Sequence, residues 1–181
     1  LKSKGIYEVY MTREADIFIP LKERTAFANS VGADVFISIH INASEDSSAR
    51  GIETYYLSLA SDEEARLTAA LENASSDMGI KDIGTLLSRM LRNTKVDESR
   101  HLAGVMQSHL SRIKNTLSRG VKRAPFIVLV GADAPSILVE LGFMSNTQDE
   151  KLLQTEKYKD DLAKALMDGI EDYVKAINSS G

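Results

Sequence analysis

The chain has 181 residues, no cysteine and a formal net charge of −4, with 43% hydrophobic and 27% charged residues. That is enough sequence for one domain with a sizeable core. The composition excludes disulfides and thiolate zinc sites, offers no basic excess to recommend nucleic acid as a partner, and includes no apolar run approaching the ~20 residues of a membrane span. No signal peptide is visible at Leu1, and the lack of cysteine suits any compartment.

Residues 1–5 read as the last turn of a helix, with lysines at the negative end of its dipole and Gly5 at the stop position; a frayed polar terminus is the alternative. Residues 6–12 alternate and are β-rich, which predicts a strand. A helix end running into a strand is half of a βαβ unit whose first half would lie upstream of Leu1. Pro20 then opens an amphipathic helix over 21–31, closed by Gly32.

Val35 to Ile39 is nearly continuously apolar, broken only by Ser38, as in a strand buried on both faces of a parallel sheet, and it runs into His40. A polar loop over 42–50 leads to a strand over 51–58. Ser61 and Glu64 make a capping box for the next helix, with Ser61 as N-cap. Helical periodicity covers 64–77, 83–91 and 97–117. Residues 119–123 read as a basic turn and 125–130 as a strand. Ser136 to Val139 is a second apolar run, and it ends on Glu140. A short helix over 147–153 and a long one over 157–177 complete the chain. The pattern predicts an α/β fold: a single twisted, mostly parallel sheet with helices on both faces. Residues 60–95 look like a helical insertion on that core, of the kind that gates or regulates a site.

An imidazole and a carboxylate at the ends of two apolar strands suggest a metal-assisted hydrolase, because ligands and catalysis in open α/β sheets collect at the carboxyl ends of strands. His would serve as ligand and Glu as general base. Taken singly, each has a plainer explanation: a hydrogen-bonded structural histidine and a salt-bridged strand end. His101 and His109 are eight apart on one predicted helix and do not form an i, i+4 metal pair; they read as surface or packing residues. There is no Gly-x-Ser-x-Gly elbow for a metal-independent hydrolase.

A set of segments in fixed order narrows the reading. Thr12-Arg13, Leu21-x-Glu23-Arg24, Ala33 through His40-x-Asn42-Ala43, Gly51 to Tyr56, Arg119-Gly120-Val121-Lys122 and Val139 through Asn146 together resemble the zinc-dependent N-acetylmuramoyl-L-alanine amidases of the cell-separation type. The likeness runs from Tyr7 to about Tyr173. It implies zinc as cofactor, peptidoglycan as substrate, a periplasmic or cell-wall location, and cleavage of the amide between N-acetylmuramic acid and the L-alanine of the stem peptide. It maps His40 to a zinc ligand and Glu140 to the catalytic base, which takes a proton from water and passes it to the leaving amine.

The family's other ligands, a His in a Gly-His-Gly-Gly-type turn and a Glu after it, match nothing in the chain. The resemblance therefore implies an N-terminally incomplete catalytic domain over residues 1–181, with the ligands expected upstream of Leu1. A non-catalytic remnant that binds cell wall or an activator is the alternative. Residues 71–77 resemble the start of a regulatory helix in the amidases of dividing Gram-negative bacteria. That likeness implies autoinhibition, with Glu72 as the plug over the zinc and a LytM-like divisome protein as activator. Glu72 as part of a solvated acidic helix face is the plainer reading. The apolar positions Ile83, Leu86, Leu87, Met90 and Leu91 would serve either as the activator's docking surface or as internal packing. Arg13 and Arg24 fit buried salt bridges as well as any role in the site.

Overall fold

The computed structural model describes residues 1, 5–76 and 95–179. In chain order its elements are α1 (Leu21–Ser30), β1 (Phe36–Asn42), β2 (Ile52–Leu57), α2 (Glu63–Asn73), α3 (Val96–Leu110), β3 (Ser118–Ala124), a 3-10 turn (Ile127–Leu129), β4 (Ser136–Phe143), α4 (Thr147–Leu153) and α5 (Glu156–Asn178). The predicted helix and apolar stripe over 83–91 lie outside the described residues.

The four strands form one sheet in the order β1-β4-β2-β3. β1 runs parallel to β4 and β2 parallel to β3, while β2 and β4 are antiparallel. The expected α/β fold with a mostly parallel open sheet is therefore the observed one. β4 is central and all eight of its residues are buried, which is why it reads as an unbroken apolar run. Its side chains alternate between two cores. Leu138 joins Phe36, Tyr55, Leu57 and the small residues Ala65 and Ala69 on the face covered by α1 and α2. Ile137, Val139 and Leu141 join Ile52 and the apolar sides of α3 and α5 on the other. Polar residues of the same parity as Leu138 thus point beneath α2.

Three elements differ from the sequence expectation. Residues 6–12 form no strand: a strand needs a ladder partner, this segment has none among the described residues, and Ile6, Tyr10 and Met11 are exposed. Residues 119–123 are not a turn but most of β3. An edge strand needs one row of polar side chains to face water or ion partners, so its charge hides its β character. The apolar run 125–130 is a 3-10 turn rather than a strand. Its Ile127, Val128 and Leu129 are buried in the α1 core, and that burial supplies the apolarity without any ladder. Two boundaries also move. The N-cap of α2 is Asp62, whose carboxylate accepts from the Ala65 amide at 2.8 Å. α3 ends at Leu110, short of the expected 117.

Two irregularities shape the sheet around its polar residues. Ile52 pairs with Ser118 and Glu53 with Gly120, so Arg119 is an extra residue on β3. Gly120 takes φ +83° there, a left-handed conformation that glycine adopts without cost. The bulge rephases the strand. Beyond His40 and Glu140, which are register partners, Asn42 pairs with Phe143. The two strands part register immediately past the polar pair.

Candidate metal and catalytic site

Reading across the sheet in register gives a row of polar residues under α2. His40 of β1 is paired with Glu140 of β4, Glu140 with Glu53 of β2, and Glu53 with Gly120 of β3, flanked by Arg119 and Lys122. All point to the α2 side. α2 places Glu72 over this row because Ala65, Thr68, Ala69 and Glu72 share one face at helical spacing, and the first three are buried against the sheet.

His40, Glu72 and Glu140 converge: one ligand atom from each lies within 4.8 Å of the others, and among the described residues no other group of three does so. Glu72 Oε2 is 2.7 Å from His40 Nδ1, and Ser38 Oγ is 2.9 Å from Nε2 on the far side of the ring. Both ring nitrogens are thus held. Glu140 is fully buried and neither carboxylate oxygen has a hydrogen-bond partner among the described residues. Burial first, then the charges of Glu72 and Glu53, push its carboxyl up to about 9. An unpartnered buried carboxyl beside an imidazole and a second carboxylate is a poor arrangement for a metal-free core. The same set offers nitrogen and oxygen donors of the kind zinc takes, so the residues present fit a divalent cation. Only one of the chain's three histidines takes part. His101 instead stacks edge-on against Tyr173, and His109 pairs with Asp172 at 3.0 Å.

Sequence reasoning gave Glu53, Arg119 and Lys122 no role in the site and Glu64 only a helix-capping one; the structure instead gathers the four into a neighbouring cluster. Glu53, fully buried, accepts from Asn42 Nδ2 at 3.1 Å and Tyr55 Oη at 2.6 Å. It also pairs with Arg119 Nε at 2.9 Å and Lys122 Nζ at 2.8 Å. Glu64, in the first turn of α2, closes the cluster by pairing with both cations. Burial opposes the charge on Lys122, but Glu53 and Glu64 overcome it and hold the ammonium above the ordinary lysine range. The Tyr55 hydroxyl is pushed up by burial and by Glu53. The signal was in the sequence: a Glu flanked by Ile and Thr-Tyr-Tyr in a buried strand requires a partner, and Arg119 and Lys122 are candidates.

The other end of α2 is fixed through Asn73, which donates to the Pro125 carbonyl at 2.9 Å and accepts from the Ile127 amide at 2.8 Å. Arg13 and Arg24 make no buried salt bridge among the described residues. They donate to the carbonyls of Ile17 and Ile19 at 2.8 and 2.9 Å. Arg24 has Glu72 close enough to favour its charge, although burial and then Arg13 pull it below the ordinary arginine range.

The sequence pattern of the amidase_3 family, described as N-acetylmuramoyl-L-alanine amidase, matches residues 1–172. The chain is 35% identical over 176 residues to the N-acetylmuramoyl-L-alanine amidase AmiC of Neisseria meningitidis serogroup B, covering 93% of this chain and 42% of that protein. It is 33% identical over 181 residues to the AmiC amidase of Escherichia coli O6:H1, covering 96% of this chain and 43% of that protein. It therefore spans less than half the length of these two relatives. Among solved structures, the N-acetylmuramoyl-L-alanine amidase AmiC2 of Nostoc punctiforme superimposes with a TM-score of 0.71 at 27% identity, over 96% of this chain and 76% of that one. On this evidence, the chain belongs to the N-acetylmuramoyl-L-alanine amidase family.

Proposed function

We propose that this chain carries out zinc-dependent hydrolysis of the amide between N-acetylmuramic acid and the L-alanine of the peptidoglycan stem peptide, in cell-wall remodelling and daughter-cell separation. The observation that supports it best is the convergence of His40, Glu72 and the unpartnered, buried Glu140 at the carboxyl ends of two parallel strands. His40 would hold the metal through Nδ1, with Ser38 orienting the ring from the other nitrogen. When bound, zinc supplies Lewis acidity toward the amide carbonyl and a positive charge that counters the upward push on the Glu140 carboxyl. Glu140 takes a proton from the attacking water and delivers it to the leaving amine. The burial of Glu140 keeps bulk water away from that proton.

Glu72 lies on His40, so α2 covers the centre. We read this as the resting, autoinhibited state, with α2 as the first part of a regulatory insertion over about 60–95. A LytM-like activator would lift it. The substrate places the protein in the periplasm or cell wall. No described helix is long and apolar enough to cross a membrane.

The test is zinc content and muropeptide release from purified sacculi, using the native gene product with Glu140→Ala as control. About one zinc per chain, with release abolished by the substitution, supports the enzyme. Absence of both, with retained binding to sacculi, supports a non-catalytic cell-wall or activator-binding protein.

A further inference from the structure

We infer that Arg119 and Lys122 form a carboxylate-binding subsite of the substrate groove, which α2 fills in this structure with its own Glu64. The inference rests on the amidase reading and extends it to the part of the substrate that is not cut.

Three observations carry it. The first is a charge count. The cluster holds two carboxylates, Glu53 and Glu64, against two cations, Arg119 and Lys122. Glu53 is fully buried on β2 and belongs to the sheet. Glu64 belongs to the cover, and its side chain is 44% exposed. When α2 leaves, Glu53 remains against two cations, and a net positive charge faces the space that α2 filled. Such a charge calls for an anion.

The second is geometry. The cations lie two strands from Glu140 and three from His40, about 10–14 Å at the usual strand spacing. On α2, Glu64 and Glu72 are eight residues apart, about 12 Å along a helix axis. The helix thus sets one carboxylate on each pole of the polar row. An extended peptide that placed its scissile amide at Glu140 would carry a carboxylate to the cations three to four residues further on, at about 3.3 Å per residue.

The third is preorganisation. Arg119 is held on three sides: its Nε by Glu53, its Nη1 by the Arg50 carbonyl at 3.4 Å, and its guanidinium face by the Phe143 ring at 5.1 Å. Only Nη2 turns to Glu64. Lys122 presents Nζ to the same carboxylate at 2.8 Å. One oxygen on each cation is the arrangement that an incoming carboxylate would reproduce. The ligand class is therefore an acidic peptide with its carboxylate three to four residues from the cut amide.

The test uses two N-acetylated, C-terminally amidated pentapeptides, alike except that the fourth residue is Glu in one and Gln in the other. Binding is measured by calorimetry in chelator, so that nothing is cleaved. The chain Glu64→Gln/Glu72→Gln, with the carboxylates of α2 withdrawn from both poles, should bind the Glu peptide roughly tenfold or more tightly than the Gln peptide. The ratio should shrink in high salt. In the unmodified chain, millimolar Glu peptide should speed amide hydrogen exchange across residues 63–73, and the Gln peptide should not. Equal affinities in the double variant, or no binding by either peptide together with unchanged exchange, would overturn the proposal and leave the cluster as an anchor for α2. Selective binding without muropeptide release from sacculi would remove the amidase reading and keep an acidic-peptide site. Release without selectivity would do the reverse.

Discussion

Glu72 Oε2 lies 2.7 Å from His40 Nδ1, joining the last turn of α2 to the end of β1. Both side chains are mostly shielded, so the contact is stronger than a surface pair. Removing one charge-assisted hydrogen bond of about 1.5–3 kcal/mol would move the covered–open balance of α2 by roughly ten- to a hundredfold. Glu72→Ala should therefore raise basal muropeptide release by the zinc-loaded native protein. Release from dye-labelled sacculi reads this directly, and unchanged or lower release would remove Glu72 from any inhibitory role.

Asn73 makes a second, independent connection. Its amide grips the Pro125 carbonyl and the Ile127 amide, and Asn73→Ala loses both bonds. We expect α2 docking to weaken by about 1–3 kcal/mol, seen as faster hydrogen exchange confined to residues 63–73. Exchange that rises evenly across the sheet would point to global destabilisation instead.

The Glu53 and Glu64 carboxylates share partners but not surroundings, and their removal should differ accordingly. Glu53→Gln leaves two cations without their buried counter-charge and should cost about 3–5 kcal/mol. Glu64→Gln removes a half-exposed partner and should cost about 0–1 kcal/mol. Urea denaturation of the two variants side by side distinguishes them; equal costs would mean that Glu53 is not the charge on which the cluster depends.

Glu140 sets a pH dependence in the metal-free chain. Unfolded, a glutamate releases its proton near 4.5; folded, this one keeps it to about 9. Between those values the folded state binds more protons, so its contribution to stability falls as pH rises. Glu140→Gln should flatten this part of the profile and raise the melting temperature of the chelated protein at pH 8 while abolishing hydrolysis. Melting curves from pH 5 to 9 in chelator provide the check. Parallel slopes in the two proteins would show that Glu140 ionises freely.

The sequence was most legible where burial was most complete. β4 is enclosed on both faces, so its apolar run and terminal Glu140 stand out; β1 carries a similar run up to His40, but contrary to the expectation it is buried on one face only, with Ile39 and Ile41 exposed on the other. β3 was hidden by its charges, because Arg119 and Lys122 answer carboxylates on other elements rather than solvent. The run 125–130 misled in the opposite direction, since burial makes a 3-10 turn as apolar as a strand. Residues 6–12 have a strand's alternation, but alternation cannot supply a neighbour for the ladder. Glu72 was hard to weigh among its acidic neighbours, although its spacing from Ala65 and Ala69 places it on the face of α2 that meets the sheet. The role of Glu53 depended on strand register, which local pattern does not encode.

The polar row under α2 has a kinetic consequence. Its members, His40, Glu53, Glu72, Arg119, Lys122 and Glu140, come from five separate elements, and the pairing of β1 with β4 joins residues about a hundred positions apart. No short fragment can assemble this site, and closing so long a loop is slow relative to local helix formation. Capture of a metal ion at His40, beside Glu140, would therefore mark the end of folding, and a stopped-flow metal signal should lag behind the recovery of helical circular dichroism.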